Sequence, residues 1–288
     1  MDLQELKVFQ TVAKTGSISQ AARELNYAQS NISTKIKQLE EHFKTTLFYR
    51  HNKGITLTNK GQLLLEYSEK IFNLIDETSN IVMDDAVPKG PLHIGCLETL
   101  ATTYLPQLIS TYHKNYPCVD LTIKTAITEK NIQDVLNYKL DGAFVAGKIN
   151  HPDLIQKTIK EEKLVLITDT LHPVMSSIKD IQNKTLLVFP TGCTYRKTLE
   201  EWLDNKNIKP NKIMEFDTIP AIISCVCSGL GISLLPLPVV EKYIESGVLK
   251  YYSIENPYNV APIVFVYRKD KFLPKALIEF INTFDNKS

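Results

Sequence analysis

The chain has 288 residues, enough for two domains, with 43% apolar and 23% charged residues, ordinary values for a globular protein with ample core. Its net charge of +1 hides an asymmetry: residues 1–62 hold nine Lys or Arg against five Asp or Glu, and the remainder holds 24 against 27. A basic N-terminal module on a mildly acidic body fits one part that meets a polyanion and one that does not. The five cysteines, at 96, 118, 193, 225 and 227, form no CxxC pair and are too scattered for a disulfide framework, so reduced thiols in a cytosolic protein are expected. The N-terminus, with Asp2, Glu5 and Lys7, does not read as a signal peptide.

Residues 3–15 read as an amphipathic helix, with Asp2 as N-cap, Gly16 as C-terminal stop, and Leu6 and Phe9 on the buried face. Two short helices follow with a tight joint. Ser17 and Gln20 have capping-box spacing, and Ala21 and Ala22 permit close helix approach. Asn26 tolerates the left-handed turn the joint needs. The next helix, about 29–43, places Ile32, Ile36, Leu39 and Phe43 on one apolar stripe. Its other face offers Gln29, Ser30, Asn31, Ser33, Thr34, Lys35 and Lys37: amides and hydroxyls suited to base edges, then cations suited to phosphates. The plainer reading of that face is a solvated helix in an ordinary helical subdomain. Two β-prone runs around His51-Asn52-Lys53-Gly54 read as a hairpin wing that presents Arg50 and Lys53 to phosphate or the minor groove, or simply to water.

From residue 59 or 60 a long helix is expected to about 85. Leu64, Tyr67, Ile71, Leu74, Thr78 and Ile81 make a heptad seam that wants a partner helix, hence a homodimer. Val87-Pro88-Lys89-Gly90-Pro91 reads as a hinge. Beyond it, strands near 92–96, 120–124, 142–145, 164–169, 186–189, 212–216, 232–235 and 263–267 alternate with helices near 100–115, 130–138, 195–205, 219–228, 238–246 and 274–284. Residues 218–240 carry no charge over 23 positions, but Pro220, Pro236, Pro238, Gly229 and Gly231 fit a helix, a buried strand and a turn better than a membrane span.

The run LKVFQTVAKTGSISQAARELNYAQSNISTKIKQLEEHFKTTLFYRHNKGITLTNKGQ resembles the LysR-type transcriptional regulators. The shared features include Leu6, Phe9, Gly16, Ser17, Ala21, Ala22, Leu25, Gln29, Ser33, Ile36, Leu39, Glu40, Leu47, Phe48, Arg50, Leu57, Thr58 and Gly61. Ser30-Asn31 departs from the Pro-Ala of many members, which bears on which bases are read. The likeness continues through Gly90-Pro91-Leu92-His93-Ile94-Gly95 and Cys227-Ser228-Gly229-Leu230-Gly231-Ile232-Ser233-Leu234-Leu235-Pro236, and so covers essentially the whole chain.

The resemblance implies an α/β protein with an N-terminal all-α winged helix-turn-helix (1–58), a linker and dimerisation helix (59–87), and an effector-binding domain (88–288). That domain is similar to type 2 periplasmic binding proteins, with lobe I about 92–163 and 267–288 and lobe II about 164–266. It implies a cytoplasmic homotetramer that binds double-stranded DNA at a promoter-proximal interrupted palindrome, acts on transcription as activator or repressor with RNA polymerase as a further partner, and responds to a small molecule held between the lobes. No cofactor or metal is expected.

Three loops are expected at the cleft: Leu97 to Ala101 after the first strand; Thr191 to Arg196, which includes Tyr195; and Asp217, Thr218 and Ile219 opening the next helix. The effector residues expected from them are Glu98, Thr99, Leu100, Thr191, Gly192, Cys193, Thr194, Arg196 and Thr218. In the second loop, free helix N–H groups and the Arg196 fork suit a carboxylate, which leans toward an anionic effector. Thr194 capping its helix and Arg196 pairing with Glu200 is the competing reading, and Glu98 opposes a purely anionic ligand. Cys193 near a helix N-terminus also fits a thiol sensor.

An enzyme finds little support. The histidines (42, 51, 93, 113, 151, 172) never fall at metal-ligand spacing, Gly229-Leu230-Gly231 lacks the third glycine of a dinucleotide fingerprint, and neither a P-loop nor a Gly-x-Ser-x-Gly elbow occurs. A solute-binding protein with an accessory helical domain is opposed by the basic N-terminal module.

Overall fold

The computed structural model describes residues 1–51, 54–82, 87–170, 178–269 and 273–285. It divides into two compact units, Met1–Ser79 and Asn80–Ser288. In the first, helix α1 (Leu3–Thr15) opens with a full capping box: Asp2 Oδ1 accepts from the Glu5 amide at 2.7 Å, and Glu5 Oε2 accepts from the Asp2 amide at 3.0 Å. Gly16 closes it in the left-handed conformation, φ 64°. Ser17 caps α2 (Ile18–Glu24), and Asn26, φ 55°, turns the chain into α3 (Gln29–Phe43). Leu6, Phe9, Val12, Ala21, Ala22, Ile32, Ile36 and Leu39 form the core between these helices. Phe43, expected on the same stripe, is 41% exposed. The helix carries on one turn past Leu39, the last buried residue of the stripe, and ends after Phe43 where Lys44 adopts a left-handed conformation.

The hairpin of β1 (Phe48–His51) and β2 (Gly54–Leu57) follows. It is held at both ends: Glu40 Oε1 accepts from the Leu47 amide at 2.8 Å, and the Ile55 amide donates to the Gly16 carbonyl at 3.0 Å. Thr58 Oγ1 accepts from the Gly61 amide at 2.9 Å and donates to the Thr46 carbonyl at 3.0 Å, which starts α4 (Asn59–Val82). A Cβ at Gly61 would lie 2.1 Å from the Leu47 carbonyl oxygen, so only glycine fits this crossing. Helix α4 was expected to reach about residue 85, and residues 83–86 lie outside the described ones. Its predicted seam is divided. Leu64 and Ile71 pack, with Leu65 and Phe72, on the unit's own core, whereas Tyr67 and Leu74 are exposed beside Leu63. The side chain of Ile81 lies outside the described residues.

The second unit alternates strands and helices: β3 (Gly90–Cys96), α5 (Glu98–Thr103), α6 (Leu105–Asn115), β4 (Val119–Thr125), α7 (Thr128–Leu136) and β5 (Gly142–Ala146) lead to the 16-residue β6 (Leu154–Asp169). A 3-10 turn (Ile178–Asn183) then precedes β7 (Thr185–Val188), α8 (Thr194–Asn205), β8 (Lys212–Glu215), α9 (Ile219–Cys227), β9 (Ser233–Pro236), α10 (Leu237–Glu245), β10 (Leu249–Ser253), β11 (Val260–Arg268) and α11 (Lys275–Asp285). Gly90 and Pro91, read as hinge, already belong to β3.

β3 runs parallel to β4 and β5, and β11 is antiparallel to β5 and β6. The two long strands connect the lobes. The first part of β6 pairs with β11 (Leu154↔Arg268 to Lys163↔Val260), and its last part pairs with β10 and β9. The crossing is marked by the Leu164 amide donating to the Asn259 carbonyl at 2.8 Å. The return therefore falls at 259–260, earlier than the expected 263–267, because Ile263 to Tyr267 pair with β5 inside the first lobe. The second lobe is completed by the parallel pair β7–β8. The uncharged stretch 218–240 resolves into α9, β9 and the start of α10, and among the described residues no helix is long and apolar enough to cross a membrane.

Candidate functional site

Two sites emerge, one in each unit. In the first, α3 buries Ile32, Ile36 and Leu39 and leaves Gln29, Ser30, Asn31, Thr34 and Lys37 exposed, with Ser33 and Lys35 half-buried at the flanks. Ala28 at the N-cap supplies no side-chain acceptor to the first turn of α3, and the Asn31 amide donates to its carbonyl at 3.0 Å. Thr34 differs from its expected role: its hydroxyl donates to the Ser30 carbonyl at 2.9 Å, which leaves the methyl as its outward group. Lys37 lies 3.5 Å from Glu41 with 76% of its side chain exposed, a surface pair weak enough to yield to a phosphate. Arg50 is exposed on β1, and Lys53 lies outside the described residues.

In the second unit a cavity of about 150 Å³ opens between the lobes. Leu97, Glu98 and Thr99 line it from the β3–α5 junction, Thr125, Ala126 and Ile127 from the end of β4, and Phe189, Pro190, Cys193, Tyr195 and Asp217 from the second lobe. The walls are tied together. The Thr99 and Tyr195 hydroxyls lie 3.2 Å apart, and Tyr195 Oη donates to Glu162 Oε2 at 3.0 Å. Glu162, 2% exposed on β6, pairs with Lys160 at 2.9 Å, and Lys160 Nζ stands 5.1 Å above the Tyr104 ring. Burial pushes the Tyr195 phenol well above its ordinary value, and the nearby Glu162 carboxylate adds to the shift, so the hydroxyl stays protonated. Glu98 Oε2 accepts from the Ile219 amide at 3.1 Å, so a carboxylate of the first lobe sits on the N-terminus of α9 in the second.

A larger open cleft of about 550 Å³ takes up much of the second expected loop: Thr191, Gly192, Thr194 and Arg196 line it with Glu129 and Lys148, and Cys193 touches both spaces. Gly192 has φ 95°, a left-handed conformation that strains any side chain, and this lets the loop pass close to Ile127 and Glu129 of the first lobe. Thr194 does not cap α8. The N-cap is Cys193, and the Thr194 hydroxyl donates to the Ala146 carbonyl at 2.8 Å. Arg196 is paired within the second lobe, as its competing reading has it: Nε donates to Glu200 Oε1 at 2.8 Å, and a terminal nitrogen donates to the Phe189 carbonyl at 3.0 Å and to Glu215. Leu100 is fully buried core, and Thr218 is exposed outside both spaces. Burial raises the Cys193 thiol despite opposing backbone N–H groups and the Arg196 charge, against the low value a thiol sensor needs.

Glu98, Thr99 and Cys193 line the cavity, and so do Tyr195 and Asp217, which the sequence reading placed in cleft-facing loops without choosing them as effector residues. A tyrosine one residue past a helix start, and an acid closing a strand–helix loop, were the available signals. The end of β4 gave none.

A winged helix-turn-helix joined to a two-lobed α/β domain with an interlobe cavity defines a ligand-responsive DNA-binding protein. The family descriptions agree: "Bacterial regulatory helix-turn-helix protein, lysR family" matches residues 3–62 and "LysR substrate binding domain" matches residues 85–287. The chain is 48% identical over 281 residues to the HTH-type transcriptional regulator GltR of Bacillus subtilis (strain 168), covering 98% of this chain and 95% of GltR. It is 42% identical over 287 residues to CzcR of Bacillus thuringiensis subsp. konkukian (strain 97-27), covering 99% and 97%. Its fold matches full-length CbnR complexed with its target DNA at a TM-score of 0.72, with 21% identity and full coverage of both chains. The chain belongs to the LysR family and is a DNA-binding transcriptional regulator with an effector-binding domain.

Proposed function

We propose that α3 enters the major groove, with Gln29, Ser30 and Asn31 at base edges, the Thr34 methyl against a thymine, Ser33, Lys35 and Lys37 on phosphates, and Arg50 and Lys53 on the wing. The observation that carries this is the exposed polar row at the uncapped N-terminus of α3, opposite a fully buried Ile32–Ile36–Leu39 stripe. The exposed stripe Leu63, Tyr67 and Leu74 on α4 supports a homodimer through that helix, since such a row needs covering. Two dimers then form a tetramer that spans an interrupted palindrome near a promoter in the cytoplasm, with RNA polymerase as the machinery it regulates. The effector occupies the interlobe cavity, touching Glu98, Thr99, Cys193, Tyr195 and Asp217, and the protein catalyses no reaction. Measuring affinity for a panel of single-base operator variants tests the reading face. Gln29→Ala should cost about 1–3 kcal/mol at one base position, and Lys37→Ala should weaken every sequence alike and flatten the salt slope. Uniform loss in both variants would remove Gln29 from base readout.

A further inference from the structure

Resting on the reading of the interlobe cavity as the effector site, we infer that its ligand is a small cation: a protonated amine on a compact apolar body. Among the described residues lining the cavity there is no Lys, Arg or His, while both lobes contribute an acid, Glu98 from the first and Asp217 from the second. The groups that would otherwise favour an anion are already satisfied. The N-terminus of α9 is occupied by Glu98, whose Oε2 accepts from the Ile219 amide at 3.1 Å. Arg196 is held by Glu200, Glu215 and the Phe189 carbonyl. An anion entering this space would therefore meet two carboxyl groups and no unengaged cation. An ammonium group meets the opposite: Asp217 as a carboxylate acceptor and the Thr99 and Tyr195 hydroxyls as neutral ones. Leu97 and Ile127 add the apolar surface against which a short hydrocarbon body packs. Glu98, by bridging the lobes, stands in for the acidic end of a ligand, so an incoming molecule need supply only the cation.

The test uses the full chain labelled at isoleucine δ1-methyls, because Ile127 lines the cavity and reports its occupancy directly. Butylammonium, butanol and butyrate, matched in length, are titrated into the millimolar range against wild type and Asp217→Asn, with Asp217 exposed enough for the substitution to leave the fold intact. Butylammonium is expected to move the Ile127 methyl saturably, butyrate to leave it in place, and Asp217→Asn to weaken the amine by at least about tenfold. Butyrate binding as tightly as the amine at Ile127 would overturn the cationic assignment while leaving the cavity as the site. An amine that leaves Ile127 unmoved, or moves only isoleucines elsewhere, would overturn the cavity itself as the ligand site. Equal amine affinity in Asp217→Asn would remove that carboxylate from recognition.

Discussion

Tyr195→Phe is the most informative single-atom change in the second unit. The phenol is 2% exposed, and its oxygen connects three elements: Thr99 on α5 at 3.2 Å, Glu162 on the connecting strand β6 at 3.0 Å, and its own helix α8. Removing it takes one hydrogen bond from a buried carboxylate, a contribution of about 1.5–3 kcal/mol, and one neutral hydroxyl contact of about 1 kcal/mol. Glu162 keeps its Lys160 partner at 2.9 Å, so the carboxylate is not left wholly unpaired and the total should fall at about 2–4 kcal/mol. Equilibrium urea unfolding of the parent, Tyr195→Phe, Thr99→Val and the double variant would read it. The midpoint should fall at unchanged slope, and the two single changes should couple by about 0.5 kcal/mol or more. A Tyr195→Phe variant within about 0.5 kcal/mol of the parent would refute the argument that this chain of hydroxyls and charges holds the lobes at the cavity.

Gly61→Ala places a methyl 2.1 Å from the Leu47 carbonyl, and the overpacking should cost about 1–3 kcal/mol in the N-terminal unit and weaken DNA binding with it; a variant of parental stability would show that the helix–wing crossing is looser than described. Asp141 holds His93 protonated above its ordinary value of 6.5, against the opposing effect of partial burial. The sign follows from a raised folded-state value: the pair's stabilisation is present below about pH 6.5 and is lost as pH rises through the raised value. An NMR titration should return the His93 value downward in Asp141→Asn, and an unchanged value would remove the pair. Iodoacetamide at neutral pH should label exposed Cys118 and spare Cys193 and Cys96, the latter pushed up to about 11 by burial, until the chain unfolds; rapid labelling of Cys193 would revive a thiol-sensor role.

The N-terminal unit was largely legible because its signals are local. Asp2 with Glu5, Ser17 with Gln20, the αL residue Asn26 and the Ile32–Ile36–Leu39 spacing each act within one helix or one turn. The expected helix 100–115 divides into α5 and α6 where Pro106 occupies the first turn of α6, a punctuation visible in the sequence. The first half of β6 was missed because Lys157, Lys160, Glu161, Glu162 and Lys163 make it read as solvent, whereas pairing with β11 makes it a strand. β10 was missed as a short strand beside β6 whose burial alternates in and out. The cavity was the least legible part. Tyr195 meets partners 33 and 96 residues away, and Arg196 meets Glu215 across 19, so no local pattern could assign either side chain its direction.

The central claim, that α3 reads DNA sequence, is tested most directly by selecting genomic fragments with the purified full chain at a stated salt concentration. The account predicts an enriched interrupted palindrome near promoters, lost when Gln29, Ser30 and Asn31 are replaced together by alanine while salt-dependent non-specific binding persists. Salt-sensitive binding with no enriched sequence, or enrichment unchanged in the triple variant, would contradict it.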